Sequence, residues 1–248
     1  MPSSVFVGSR PSWRRMTSYS SSVSPKTRWK SVPVESAGMK RIIERMEGRV
    51  GRIRGMLCEP AQRAMDRLIR GNDRFVSGTP KTYVYGEKER ATLCEEQKPI
   101  AAVVACSDSR VAPEIVFDQP LGALFVSRVP GNVAAESTVW AVDLAVDVFE
   151  VPLVVVMGHT GCLAVASSMD KGFVSPWIQQ HIGPALNAAR SKHGNLSLDQ
   201  LVEENARHAV QRLLLMSTTL RNAVKSERVS VVPAVYDMAT GKVSLAEE

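Results

Sequence analysis

The chain has 248 residues, 44% of them hydrophobic, and a formal charge of +6, enough length for a substantial core and too much for dependence on a disulfide framework. The charge is uneven: residues 1–57 hold 12 Lys and Arg against Glu35, Glu44 and Glu47, a net of +9, which leaves the remainder at −3. The folded part therefore lacks the basic stripe of a nucleic-acid binder, and no run reaches the roughly 18 apolar residues of a membrane span.

In chain order, the first segment, residues 1–38, has no acid before Glu35, and that acid-free stretch carries Arg10, Arg14, Arg15, Lys26, Arg28, Lys30 and ten serines. That composition predicts an organelle address, and Arg14-Arg15 before Met16-Thr17 favours a mitochondrion over a plastid. The plain alternative is a basic tail without an address, which would leave the protein in the cytoplasm. No apolar run of the kind that marks a secretory signal follows the early charges. Residues 39–59 read as a basic amphipathic helix or linker, with apolar positions at 39, 42, 43, 46, 50, 53 and 57 interrupted by Gly48, Gly51 and Gly55.

A helix is predicted over 60–75, with Ala64, Met65, Leu68 and Ile69 on one side and Gly71-Asn72 as a stop signal. From residue 99 short apolar runs alternate with helical stretches. The runs are 100–105, 124–129, 153–157 and 229–235, and the helices are expected at 137–149, 162–170, 176–191 and 198–221. Continuous Val-rich runs read as strands buried on both faces. The expected fold is thus α/β over 60–248: a central, mostly parallel sheet flanked by helices, with N-terminal helices packing outside the core and ligands at the carboxyl edge of the strands.

Two of these strands run directly into metal-capable residues, at Cys106-Ser107-Asp108-Ser109-Arg110 and at His159-Thr160-Gly161-Cys162. Cys106 and Asp108 are two apart in an extended segment and face one way; His159 and Cys162 are three apart at a helix start and also share a side. Adjacent strands would bring all four together. Two thiolates and one imidazole form a set used by catalytic zinc, which keeps a fourth position for water, whereas structural zinc sites generally use four protein ligands. Cys58 and Cys94 read as incidental thiols, and His181, His193 and His208 as surface or satisfied-core residues without ligand spacing.

The stretches ACSDSRV, PEIVFDQPLGALFVSR and VPLVVVMGHTGC, with GNDRF at 71–75, EEQKP at 95–99, EEN at 203–205 and AVYDMATGKV near the end, resemble the beta-class carbonic anhydrases. The resemblance spans about residues 61–245. It implies a carbonate dehydratase that interconverts carbon dioxide and bicarbonate, with one zinc ion on Cys106, His159 and Cys162. It further implies that Asp108 accepts a hydrogen bond from the zinc-bound hydroxide while Arg110 holds Asp108, and that the equivalent of Asp108 can itself coordinate zinc in an inactive state. Gln97, nine residues before Cys106, is implied to donate to bound substrate, with Phe125 and Leu163 lining the pocket. A homodimer or higher homo-oligomer, with active sites at the subunit interface, is implied as well.

Departures from the family pattern accompany the matches. Leu163 stands where a glycine usually follows the second zinc cysteine, Leu144 where many members have tyrosine, and Ala123 where an acid is usual. These departures motivate two alternatives: a related zinc hydrolase of carbonyl sulfide or carbon disulfide, and a zinc-bearing assembly subunit that has lost turnover.

Overall fold

A computed structural model of the chain describes residues 57–169 and 175–246. The organelle address expected at 1–38, and all of the basic helix or linker expected at 39–59 except its last three residues, lie outside the described residues. The first described helix, α1, spans Glu59–Val76, with Pro60 in its first turn, where no N–H partner is needed, Glu59 at its positive end and Arg74 at its negative end. Then come α2 (Glu87–Glu95), β1 (Ala101–Ala105), α3 (Pro113–Val116), β2 (Leu124–Arg128), a 3₁₀ turn over Pro130–Asn132, α4 (Glu136–Asp147) and β3 (Leu153–His159). The chain closes with α5 (Leu163–Met169), α6 (Pro176–His193), α7 (Leu198–Met216), α8 (Thr218–Lys225), β4 (Ser230–Tyr236) and β5 (Val243–Leu245).

The five strands form one sheet in the order β2-β1-β3-β4-β5. The first four run parallel, in register Ala105↔Arg128, Ala105↔Met157 and His159↔Tyr236, and β5 returns antiparallel on β4. β1 and β3 are buried at every position because helices cover both faces. Alternation sorts their side chains. Val103, Ala105, Val155 and Met157 meet Ala61, Ala64, Met65 and Leu68 of α1, whereas Val104, Val154 and Val156 meet Val142 and Val146 of α4 and Leu213 of α7.

Two helical readings need correction. Gly71 and Asn72 do not stop α1, which continues to Val76 with both buried inside it. A Cβ at Gly71 would stand 1.8 Å from the carbonyl oxygen of Phe117, so glycine is there to let the helix approach backbone. Asn72 is a staple: its Nδ2 donates to the carbonyls of Val116 at 3.0 Å and Gly241 at 2.8 Å, while its Oδ1 accepts from Val243 N at 2.8 Å. The helix expected over 198–221 is in fact two. Ser217 ends α7 and caps α8, its Oγ accepting from Leu220 N at 2.8 Å and donating to Asp143. The antiparallel β5 was not anticipated, being only three residues long.

Gly71→Ala is expected to destabilise the domain. Helix propensity would return about 1 kcal/mol, but overpacking against a backbone wall costs about 3 kcal/mol, so a net loss of about 2 kcal/mol should appear in urea unfolding. A midpoint equal to the parent's would refute the close-packing argument.

Between α6 and α7 two histidines sit near Arg212. The ring of His181 stacks on Trp177 at 5.8 Å, and both its nitrogens, like Nε2 of His208, are buried without a partner among the described residues. The satisfied-core expectation therefore fails for these two, while His193 is exposed. Burial first, then the charge of Arg212, pushes His208 down to about 4. The unfolded chain, with an ordinary histidine near 6.5, then binds the proton first, so stability is lost as pH falls from about 6.5 to about 4, by about 3 kcal/mol in total. His208→Gln should flatten that acid limb in unfolding measured at neutral and acid pH. An unchanged slope would place the acid sensitivity elsewhere.

Candidate metal centre

β1 and β3 are neighbours, and each delivers a ligand at its carboxyl edge: Cys106 directly after Ala105, and His159 as the last residue of its strand. Cys162 follows three residues later, immediately before α5. The three residues are 5%, 0% and 1% exposed, and their Sγ and ring nitrogen atoms lie within 4.8 Å of one another.

The donor set fits a zinc ion on evidence internal to the site. His159 Nδ1 lies 3.0 Å from the carbonyl oxygen of Thr160, so the proton sits on Nδ1 and the Nε2 lone pair is left for a ligand bond. That Nε2 is buried and has no hydrogen-bond partner among the described residues, a cost that a metal removes. Cys106 is held well below the ordinary thiol range, first by the hydrogen bond from Cys162 and further by the Gly131 N–H on its Sγ at 3.3 Å, while sharing that proton drives Cys162 upward. One thiolate is thus already favoured, and a dication would take the place of the remaining proton.

Beside the ligands, Asp108 and Arg110 form the pair anticipated from their spacing. Arg110 Nε donates to Oδ1 at 2.9 Å, Nη2 to Oδ2 at 2.7 Å, and the Arg110 backbone N–H to Oδ1 at 3.0 Å. These bonds, the side-chain ones first, hold the Asp108 carboxyl far below the usual carboxylate range, so it stays ionised.

Three supports were not recognised as such in the sequence. Arg128, at the end of β2, donates from Nε to the carbonyl of Cys106 at 3.0 Å and from Nη2 to the carbonyl of Asp108, clamping the loop that carries ligand and carboxylate. Gly131, at φ 66°, offers its N–H to Cys106, and a Cβ there would stand 2.6 Å from Ile182 Cδ1. Asn205 of α7 donates to the Gly131 carbonyl at 2.8 Å, fixing that turn from 74 residues away. The sequence signals were the segment at 128–132 and the EEN at 203–205, which carry no chemistry of their own until the turn is seen.

Gln97, Phe125 and Leu163, the residues expected to line a substrate pocket, lie outside the ligand group. Gln97 is exposed on the segment ahead of β1, and no hydrogen bond among the described residues ties it to the ligand group. Phe125 lies half-buried against Phe149 at 5.3 Å, in the cluster shared with α4. Leu163 adjoins Cys162, but its side chain is 74% exposed. Cys94 is exposed, and Cys58 is half-buried with its backbone N–H donating to Ser230 Oγ at 3.1 Å.

Comparison with known proteins agrees with this geometry. The family model described as carbonic anhydrase matches residues 101–243. A carbonic anhydrase of Mycolicibacterium smegmatis is 36% identical over 189 residues, covering 73% of this chain and 91% of the relative. Carbonic anhydrase 2 of Mycobacterium tuberculosis is 31% identical over 192 residues, covering 74% and 92%. Among solved structures, the beta-carbonic anhydrase CafA of Aspergillus fumigatus superposes with a TM-score of 0.58 at 25% identity over 65% of this chain and 82% of that one. One of the tetrameric beta-carbonic anhydrases of Sordaria macrospora does so with a TM-score of 0.57 at 21% identity, over 63% and 84%.

Proposed function

The chain belongs to the beta-class carbonic anhydrases, zinc-using lyases, and from that membership we propose that it hydrates carbon dioxide reversibly at one zinc ion held by Cys106, His159 and Cys162. When bound, zinc supplies Lewis acidity strong enough to make hydroxide available near pH 7. The two thiolates balance the charge of the dication, and neutral His159 completes the set, so the bicarbonate product meets no strong residual positive charge from the ligand group. Asp108 would accept a hydrogen bond from a hydroxide held beside it and so orient a lone pair toward carbon dioxide. Arg110 keeps that carboxylate charged and oriented, and Arg128 keeps the loop beneath it still. Water and carbon dioxide become bicarbonate and a proton, which passes to solvent.

The observation that carries this reading is the orphaned Nε2 of His159 facing two thiols, with an ionised Asp108–Arg110 pair two residues from Cys106. Stopped-flow hydration of carbon dioxide by zinc-replete protein tests it, with turnover expected above the uncatalysed rate and lost on chelation. A zinc-replete protein without hydration activity would overturn it in favour of another small-molecule zinc hydrolase or an assembly subunit.

A homo-oligomer accompanies this function. Trp140 and Leu144 of α4 and Val148 at its C-cap are 68%, 46% and 61% exposed, four residues apart, an apolar face suited to a second copy. The Sordaria relatives are tetrameric. Residues 1–38 act as a cleavable organelle address, mitochondrial rather than plastid, on the strength of their Arg and Ser content and lack of early acids. A reporter carrying residues 1–38 should co-localise with a mitochondrial marker, and retention in the cytosol would refute the assignment.

A further inference from the structure

A cleft of about 310 Å³ that includes none of the metal ligands is lined by Arg67, Arg70, Arg74, Lys81, Tyr83, Gln119 and Pro120. It joins one face of α1 and the segment after it to Gln119 and Pro120, which precede the amino end of β2. Arg67, Arg70 and Arg74 fall three and four residues apart and so share one face of α1.

The charges in this cleft are only partly answered. Arg74 pairs through Nε with the buried carboxylate of Asp118, which also accepts the backbone N–H of Lys81 at 3.1 Å. Arg67 Nε donates to Gln119 Oε1 at 2.9 Å, a neutral acceptor. The guanidinium of Arg70 and the ammonium of Lys81 have no acceptor among the described residues, and no Asp or Glu lines the cleft. Four cations therefore face one carboxylate, an excess of three positive charges around one concavity.

The walls are also fixed in advance. Gln119 Nε2 donates to the Phe117 carbonyl at 2.8 Å, and Tyr83 Oη donates to the Asp118 carbonyl at 2.8 Å. Arg67 and Tyr83 are thereby held in place while the Nη atoms of Arg67 stay available. Guanidinium groups positioned in this way suit the oxygens of a phosphate, which accept forked pairs of N–H bonds.

We infer that this cleft binds a phosphate-bearing small molecule carrying two or more negative charges. Bicarbonate, with one charge and few atoms, would leave most of the excess unanswered and most of the volume empty. The volume lies at the lower end of the range for small-molecule pockets, roughly 300–1,000 Å³. A long nucleic acid is disfavoured because the chain beyond residue 57 carries a net negative charge.

The test is calorimetric titration of the full-length, zinc-loaded protein with pyrophosphate, repeated with bicarbonate, for the parent chain and for Arg70→Gln combined with Lys81→Gln. Saturable binding of pyrophosphate is expected with a dissociation constant below about 1 mM, weakened at least about tenfold in the double variant and by added salt. Bicarbonate should not displace it. Hydration activity and zinc content should match between parent and variant, since neither residue belongs to the metal centre. Because both side chains are exposed, folding should survive, and Arg70→Gln alone provides a milder second comparison. Equal affinity in parent and variants would assign the binding to the zinc or to residues 1–57 and overturn the inference. Absence of saturable binding in the parent would also overturn it.

Discussion

Replacing Cys106 or Cys162 with serine is expected to reduce bound zinc from one ion per chain to a small fraction of that, and hydration activity with it. A serine hydroxyl does not ionise near neutral pH and is a hard, weak ligand where zinc prefers a thiolate. Cys106 is also the thiol that the site lowers, through Cys162 and the Gly131 N–H, so its loss removes the ligand most readily ionised. The fold should persist, because Cys→Ser is nearly isosteric and the two larger core clusters contain neither cysteine, although both belong to a third with Ile182, Leu201 and Val235. Elemental analysis alongside far-ultraviolet circular dichroism separates the two effects. Full zinc in both single variants would remove these cysteines from the centre.

Asp108→Asn should behave in the opposite way, keeping zinc while losing hydration by about 100-fold, the scale seen when a group that orients a metal site is changed. An amide can accept one hydrogen bond but brings its own N–H₂ donor, which would face the donors of Arg110. It also loses the charge that the two Arg110 side-chain contacts, at 2.9 and 2.7 Å, are arranged to hold. The split between retained metal and lost turnover is the informative result. Parent-level turnover in this variant would reduce the Asp108–Arg110 pair to a surface ion pair.

Most of the frame was legible in the sequence because its signals are local. Uninterrupted apolar residues at 101–105 and 153–157 read as strands covered on both sides, with Cys106 directly after the first and His159 two residues after the second. What was not legible depends on partners distant in sequence. Gly71-Asn72 looks like the end of a helix until Phe117 and Gly241 are brought against it. Ser217 looks like the middle of a helix until Asp143 takes its hydroxyl. Arg128, Gly131 and Asn205 support the metal loop mostly through backbone atoms, and a carbonyl or N–H carries no trace in the residue string of what it bonds. The phosphate cleft was equally hidden, since its cations come from a helix and from the loop after it, while Gln119 and Pro120 come from a third segment.

The Asn72 staple sets the timetable on which the protein can be completed. Its bonds to Gly241 and Val243 span 169 and 171 residues, and Cys58 reaches Ser230 across 172. Contacts of that separation slow folding, because a long loop must close before they return any free energy. At about 5–20 residues per second on the ribosome, the apolar side of α1 waits on the order of ten seconds or more for the strand that completes its seat. The domain is therefore finished only after nearly the whole chain has been made, which leaves an interval in which a nascent, unassembled chain is open to chaperones.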